Sequence, residues 1–134
     1  MKLPISRVLE RAAGRRPGSP GGLVVLNACL SDLSERDHDE ALTLATAFLT
    51  AGATGVVGSR WNVPDRPSGL LMTAFHHHLS QGVTPARALR AAQLWMLDPE
   101  RAPVPGMSRL MAGQVNDPEH LHIHAWAAYT HQGR

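Results

Sequence analysis

The clearest pattern in the chain is a run of apolar residues from Leu23 to Ala28, set between glycines and a polar segment. Consecutive bulky residues bounded in this way are typical of a strand buried on both faces. A second short run of the same kind covers Gly55 to Arg60. Between the two runs, from Asp39, apolar residues recur at helical spacing until Gly52, which can end a helix. Strand, helix and strand in this order predict a right-handed βαβ unit with two parallel strands.

The same reasoning predicts three further helices. They cover Leu3 to Ala13, Arg66 to Leu79, and the stretch from Pro85 to Leu97, which has proline at its first helical position. Residues 98–119 are rich in proline and predict a long loop with one turn near its middle. Ile123 to Thr130 is predicted to form a final strand.

The chain of 134 residues fits one domain. We divide it into a helix and Gly/Pro linker (1–21), a core of βαβ unit and helices (22–97), a loop (98–119) and a final strand with tail (120–134). Two strongly apolar strands and a weaker third make a narrow sheet, although Leu23–Ala28 has the composition of a central strand. An open apolar edge invites pairing with another chain. The sequence therefore predicts a partial domain, whose sheet edge pairs with an N-terminal half-domain or a partner protein.

Composition narrows the class of protein. The net charge is only +2, and no basic stripe with interleaved aromatic residues is present, so we expect no nucleic-acid partner. The longest apolar stretches have the length of strands, so we expect no membrane span, and residues 1–20 do not resemble a signal peptide. A single cysteine excludes an internal disulfide and fits a reducing cytoplasm, where we expect the protein to reside.

Cys29, the only cysteine of the chain, follows the first predicted strand directly. In open α/β sheets the carboxyl ends of the strands form the edge where ligands bind. A cysteine attacks as its thiolate, which a general base or a local positive field must stabilise. Cys29 is therefore a candidate nucleophile, and the alternative is a buried structural thiol.

The segment from Val24 to Cys29 is similar to the strand and nucleophile of CHAT domains, members of the caspase–separase clan of cysteine peptidases. The likeness continues in order and with family-like spacing over residues 22–130. The similar segments are Ala41 to Ala53, Val56 to Val63, Leu71 to Leu79, Thr84 to Gln93 and Trp126 to Tyr129.

The resemblance implies an α/β fold, a caspase-like three-layer αβα sandwich, of which this chain is the C-terminal half of the sheet with its helices. It implies a Cys–His dyad that cleaves peptide bonds of protein or peptide substrates without a cofactor, with Cys29 as nucleophile. It also implies that Arg60, Trp61, Asn62 and Asp65 shape the pocket for the residue that precedes the cleaved bond. Asp65 would favour a basic side chain there and Arg60 an acidic one, and the sequence does not choose between them.

Two features depart from the family pattern. Leu30, Ser31 and Asp32 follow Cys29, where the family usually has an acidic residue, threonine and glycine. The family's catalytic histidine lies upstream of the cysteine, and none of the 28 residues before Cys29 is a histidine. We therefore expect this chain to be inactive alone. The alternative is a non-catalytic CHAT-like interaction module or a degenerate remnant.

The histidines of the chain offer no convincing alternative site. His38 could reach the same sheet edge, but a polar residue at a helix start is the simpler interpretation. The triplet His76–His78 lies on a helix, where successive side chains diverge by about 100°. His120, His122 and His124 would share one face of the predicted final strand. Two such imidazoles can bind zinc, but a zinc site needs a third or fourth ligand, and His131 is the only obvious addition. We predict no metal site.

Overall fold

The described part of the chain folds into a mixed α/β structure, which confirms the predicted fold class. The computed structural model describes residues 5–14, 16, 18–19, 21–26 and 37–134. The elements in chain order are α1 (Ile5–Ala13), β1 (Leu23–Leu26), α2 (Asp37–Thr50), β2 (Gly55–Ser59), α3 (Asp65–Ser80), α4 (Pro85–Leu97), α5 (Arg109–Gln114), a 3₁₀ helix (Pro118–Leu121), α6 (Ile123–Trp126) and β3 (Tyr129–Gly133).

The described strands form one mixed sheet in the order β1–β2–β3. β1 pairs in parallel with β2 and places Leu26 opposite Gly58, as the predicted βαβ unit requires. β3 pairs antiparallel with β2 and places Tyr129 opposite Ser59. The C-terminal ends of β1 and β2 and the N-terminal end of β3 therefore meet at one end of the sheet. We call this end of the sheet, marked by Leu26, Ser59 and Tyr129, the rim. It is distinct from the open edge of the sheet, which is the side of β1 that is unpaired among the described strands.

The first strand lies at one side of the described sheet. β2 is the central strand, with Val56 and Val57 only 1% and 0% exposed. β1 has the apolar composition of a central strand, but it pairs with β2 alone among the described strands, and all of its side chains are half-buried. Within the described sheet, its other side is therefore open. An apolar run records how hydrophobic a strand is and not how many neighbours it has, so the sequence could not distinguish the two positions.

Helices lie on both faces of the sheet. Val56 and Val57 point to opposite faces because side chains alternate along a strand. Val57 belongs to a core cluster with residues of α3 and α4, including the fully buried Phe75, Ala88 and Met96. α2 contacts β2 and also packs against α1. This arrangement corresponds to the layered sandwich expected for the fold.

The helices predicted from apolar spacing are confirmed with small changes at their ends. α4 begins with Thr84 as N-cap and Pro85 at its first position. Gly52 and Gly82 follow α2 and α3 with φ of 96° and 82°, a conformation that glycine adopts without strain. None of the helices in the described ranges is long and apolar enough to cross a membrane.

The last predicted strand begins later than the sequence indicated. Ile123–Trp126 forms the one-turn helix α6, and the strand covers Tyr129–Gly133. The buried positions here are Ala125, Ala128 and Tyr129, whose spacing is helical and not alternating. The predicted loop 98–119 likewise contains α5, whose N-cap Ser108 accepts a hydrogen bond from the backbone of Met111.

Gly21 and Gly22 provide a matched test of this packing. A Cβ atom at Gly21 would overlap the backbone carbonyl of Gly52, whereas one at Gly22 would meet nothing within 4 Å. We expect Gly21→Ala to lower the free energy of unfolding by about 1–3 kcal/mol, since backbone must move to relieve the overlap. Gly22→Ala is the control and should be close to neutral. Chemical denaturation of both variants measures the difference, and equal stabilities would contradict the close approach.

Candidate active site

The loop that follows β2, residues 60–64, is fixed at both ends. At its start, the backbone N–H of Arg60 donates a hydrogen bond to the carbonyl of Ala128 at 2.8 Å. Near its end, Val63 is buried in the hydrophobic core. Pro64 follows with φ of −57° and ψ of 148° and leads into α3. We call this stretch the rim loop.

Trp61 is held in the rim loop from two sides. Its indole Nε1–H donates to the backbone carbonyl of His124 at 3.1 Å. Its ring also meets the His124 imidazole edge to face, with centroids 6.1 Å apart and planes inclined by 74°. The indole packs against the hydrophobic core and is half-buried. Part of its aromatic surface therefore remains open at the rim.

The other pocket residues predicted from the sequence are exposed. Arg60 and Asn62 belong to the rim loop, and Asp65 is the first residue of α3. A carboxylate at a helix N-terminus interacts favourably with the helix dipole. The structure brings these three side chains and Trp61 to the same end of the sheet. That they bind a substrate stays a prediction.

The predicted nucleophile, Cys29, lies outside the described residues. β1 ends at Leu26, three positions before Cys29 in the sequence. Leu26 pairs with Gly58, two positions before the rim loop. The structure therefore defines the strand that leads to Cys29 and the parallel neighbour that leads to Trp61. The side chain of His38 is also outside the described part.

These features lie in a chain that matches a known family over nearly its whole length. The family model of the CHAT domain matches residues 3–134. The chain belongs to the CHAT domain family. This confirms the resemblance inferred from the segments between residues 22 and 130. No curated protein and no solved structure gave a match.

In this CHAT domain, residues 121–129 form the other side of the rim, and we call them the rim segment. The Trp126 indole N–H donates to the carbonyl of Leu121 at 3.2 Å. From α4, the Gln93 amide Nε2 donates to the carbonyls of Trp126 at 3.2 Å and of Tyr129 at 3.0 Å. No local pattern in the sequence indicates this role of Gln93, because it depends on residues more than thirty positions away. The one available signal was that Gln93 closes a family-like segment.

A hydrogen bond from α3 also reaches the rim segment. The hydroxyl groups of Ser68 and Tyr129 are 2.6 Å apart, and both side chains are buried. Tyr129 therefore contacts α3 through its side chain and α4 through its backbone carbonyl. Because Asp65 starts the helix that carries Ser68, the two sides of the rim belong to one connected unit.

The histidines near the rim do not form the predicted strand face. His120 lies in the 3₁₀ helix and is 3% exposed, whereas His122 and His124 are exposed. The predicted alternation is wrong because no strand forms over these residues. Among the described residues, no group of three His, Cys, Asp or Glu side chains could hold a metal ion.

A buried arginine, which the sequence does not predict, lies in the connection that leads to the rim segment. Arg101 is 2% exposed, and its guanidinium donates to the carbonyls of Met96 and Asp98 at 3.0 Å and of Asp117 at 3.3 Å. It also lies 5.7 Å from the centroid of the Trp95 ring. Arg101 thus joins the C-terminal end of α4 to the residue that caps the 3₁₀ helix. Burial lowers the pKa of Arg101.

His120 is buried close to this arginine. Its Nε2 has no hydrogen-bond partner among the described residues. Burial lowers the pKa of His120, and the charges of Arg101 and Arg66 act in the same direction, while Asp117 and Glu119 oppose them. His120, beside the positive charge of Arg101, therefore binds a proton less readily than an ordinary histidine does.

This arrangement predicts a loss of stability in mild acid. Because the pKa of His120 lies below its ordinary value of about 6.5, the unfolded chain binds the proton more readily, and stability falls as the pH drops below about 6.5. We expect His120→Gln to reduce the slope of unfolding free energy against pH by up to about 1.4 kcal/mol per pH unit, measured by urea denaturation between about pH 7 and pH 5.

The exposed neighbour His122 supplies the control, since His122→Gln should leave the slope unchanged. Some slope should persist in both variants, because burial and the neighbouring His77 also lower the pKa of His78. Identical slopes for the wild-type chain and His120→Gln would contradict the prediction.

Proposed function

We propose that this CHAT domain is part of a caspase-like cysteine endopeptidase in which Cys29 is the nucleophile. The observation that carries the proposal is the family match over residues 3–134. The topology supports it, because β1 leads to Cys29 and its parallel partner leads to Trp61. The carboxyl ends of neighbouring strands are where α/β sheets bind ligands.

The proposed reaction is acyl transfer from a peptide to the thiol. A histidine removes the proton from Cys29, and the thiolate attacks the carbonyl carbon of the peptide bond. Backbone N–H groups stabilise the oxyanion. The carbon–nitrogen bond then breaks as the histidine returns the proton to the leaving amine. Water hydrolyses the thioester, which releases the acid product and regenerates Cys29.

The histidine is proposed to come from a segment that pairs with the open edge of β1. The residues of β1 are all apolar and only half-buried, and within the described sheet they pair on one side. Such an edge favours the addition of a strand through backbone hydrogen bonds. His124 reaches the rim from the β3 side of the sheet, opposite to β1. We expect an N-terminal half-domain or a partner protein to supply the strand together with the base.

The pocket is proposed to accept a basic side chain before the cleaved bond. The half-buried indole of Trp61 can attract a cation, and the exposed Asp65 carboxylate can pair with it. Arg60, also exposed, is the one group of the three that favours an anion. Two of the three groups with a charge preference therefore favour a cation.

Reactivity of Cys29 tests the proposed function directly, because a single cysteine makes the labelled site unambiguous. The native protein is purified from its own cells together with any chain that copurifies. In this sample we expect iodoacetamide to modify Cys29 faster than it modifies the thiol of free glutathione at neutral pH. The reason is that a paired histidine raises the thiolate fraction. Intact mass spectrometry follows the modification, and Cys29→Ser is the unlabelled control.

Residues 1–134 alone should react no faster than the free thiol, since no histidine precedes Cys29 in this stretch. If iodoacetamide modifies Cys29 slowly in every preparation, the proposed peptidase activity is wrong. The chain would then be the non-catalytic interaction module, with the edge of β1 as its binding surface.

Substrate charge gives a second test once cleavage is established. We expect Asp65→Asn to lower kcat/KM at least tenfold for peptides with lysine or arginine before the cleaved bond, because the pairing carboxylate is lost. Glu100→Gln removes an exposed carboxylate from another loop and should change nothing. A loss confined to acidic peptides in Arg60→Gln would instead assign the preference to Arg60.

A further inference from the structure

Gln93 occupies an unusual place between α4 and the rim segment. One amide nitrogen bonds both the last carbonyl of α6, at Trp126, and the first carbonyl of β3, at Tyr129. These two carbonyls flank the connection formed by Ala127 and Ala128. A single side chain from a long, core-packed helix therefore fixes the point where the chain turns into the sheet.

The rim segment has little ability to hold this shape by itself. α6 is a single turn of four residues, and a helix of that length is not stable without tertiary contacts. Its backbone bonds include Ala125 to His122 at 2.8 Å and Ala127 to Ile123 at 3.0 Å. The position of the turn must therefore depend on groups outside it.

Trp61 depends on the same turn. Its indole N–H is bound to the carbonyl of His124 inside α6, and the neighbouring backbone N–H of Arg60 is bound to Ala128. If the turn moves, the acceptor of the indole moves with it. The connection thus runs from Gln93 through the rim segment to Trp61, although Gln93 does not contact Trp61 through any bond described above.

We infer that Gln93 is a positioning residue that sets the orientation of Trp61 at the rim. Its relevance to substrate binding rests on the proposed function, in which Trp61 lines the pocket. The inference itself concerns the coupling of two side chains through residues 121–129. It can be measured without any catalytic activity.

The three tryptophans provide the readout, because each indole N–H donates to a backbone carbonyl. Trp61 is bound to His124 at 3.1 Å, Trp126 to Leu121 at 3.2 Å and Trp95 to Ala102 at 2.9 Å. Trp95 lies on α4, two positions after Gln93, but outside the rim segment. Hydrogen exchange of the three ¹⁵N-labelled indoles, assigned with single Trp→Phe variants, reports on each site separately.

In the full chain carrying Gln93→Met, we expect the indole N–H of Trp61 and of Trp126 to exchange about tenfold faster, since the variant keeps the side-chain length but removes both donated hydrogen bonds. The Trp95 indole should be unchanged. Gln93→Asn keeps an amide on a shorter side chain and should show an intermediate effect, and it serves as the test if the methionine variant does not fold.

Gln114→Met is the matched control, because Gln114 is also half-buried and shows no side-chain hydrogen bond within the described residues. It should alter none of the three indoles. Equal acceleration at all three indoles of Gln93→Met would indicate general destabilisation and overturn the inference, as would unchanged exchange at Trp61. An unreactive Cys29 would contradict the proposed peptidase function but would not change the conclusion about Gln93 drawn from indole exchange.

Discussion

The pairing of β2 on both of its edges is the constraint on which the rest of the structure depends. β2 has β1 on one side and β3 on the other, and its Val56 and Val57 are buried on opposite faces. One strand therefore fixes both helical layers. Because β1 is parallel and β3 antiparallel to β2, the end of β1, the rim loop and the rim segment all lie at the same end of the sheet.

Away from the helices and strands, long side chains that donate to backbone carbonyls add to the backbone–backbone hydrogen bonds of the described turns and loops. Trp61, Gln93, Trp95, Arg101 and Trp126 all do so across segments that lack regular structure or end it. Carbonyl groups at helix ends and in loops have no partner within their own element, and leaving them buried and unpaired costs free energy. Indole, amide and guanidinium groups satisfy them over the distances that separate neighbouring elements.

The open edge of β1 and the chemistry proposed for Cys29 are physically related. The strand that leads to the nucleophile has a neighbour on only one side in the described sheet. In the proposed peptidase, the segment that completes the edge also brings the base. Since a general base contributes about a hundredfold or more to the rate, activity would depend on assembly of the sheet. The same edge would serve an interaction module equally well, and reactivity of the thiol separates the two.

The sequence by itself determined the elements whose signals are local. Apolar spacing, proline at the start of α4 and glycine after α2 and α3 predicted the main helices and the parallel pair of strands, and the ordered segments identified the family. The tertiary structure alone decided that β3 pairs with β2 on the side opposite to β1, since an apolar run does not record which strands lie beside it. It also decided that Ile123–Trp126 is helical, that His120 and Arg101 are buried, and that Gln93 holds the rim segment. Each of these depends on partners distant in the chain, and no local pattern of residues records them.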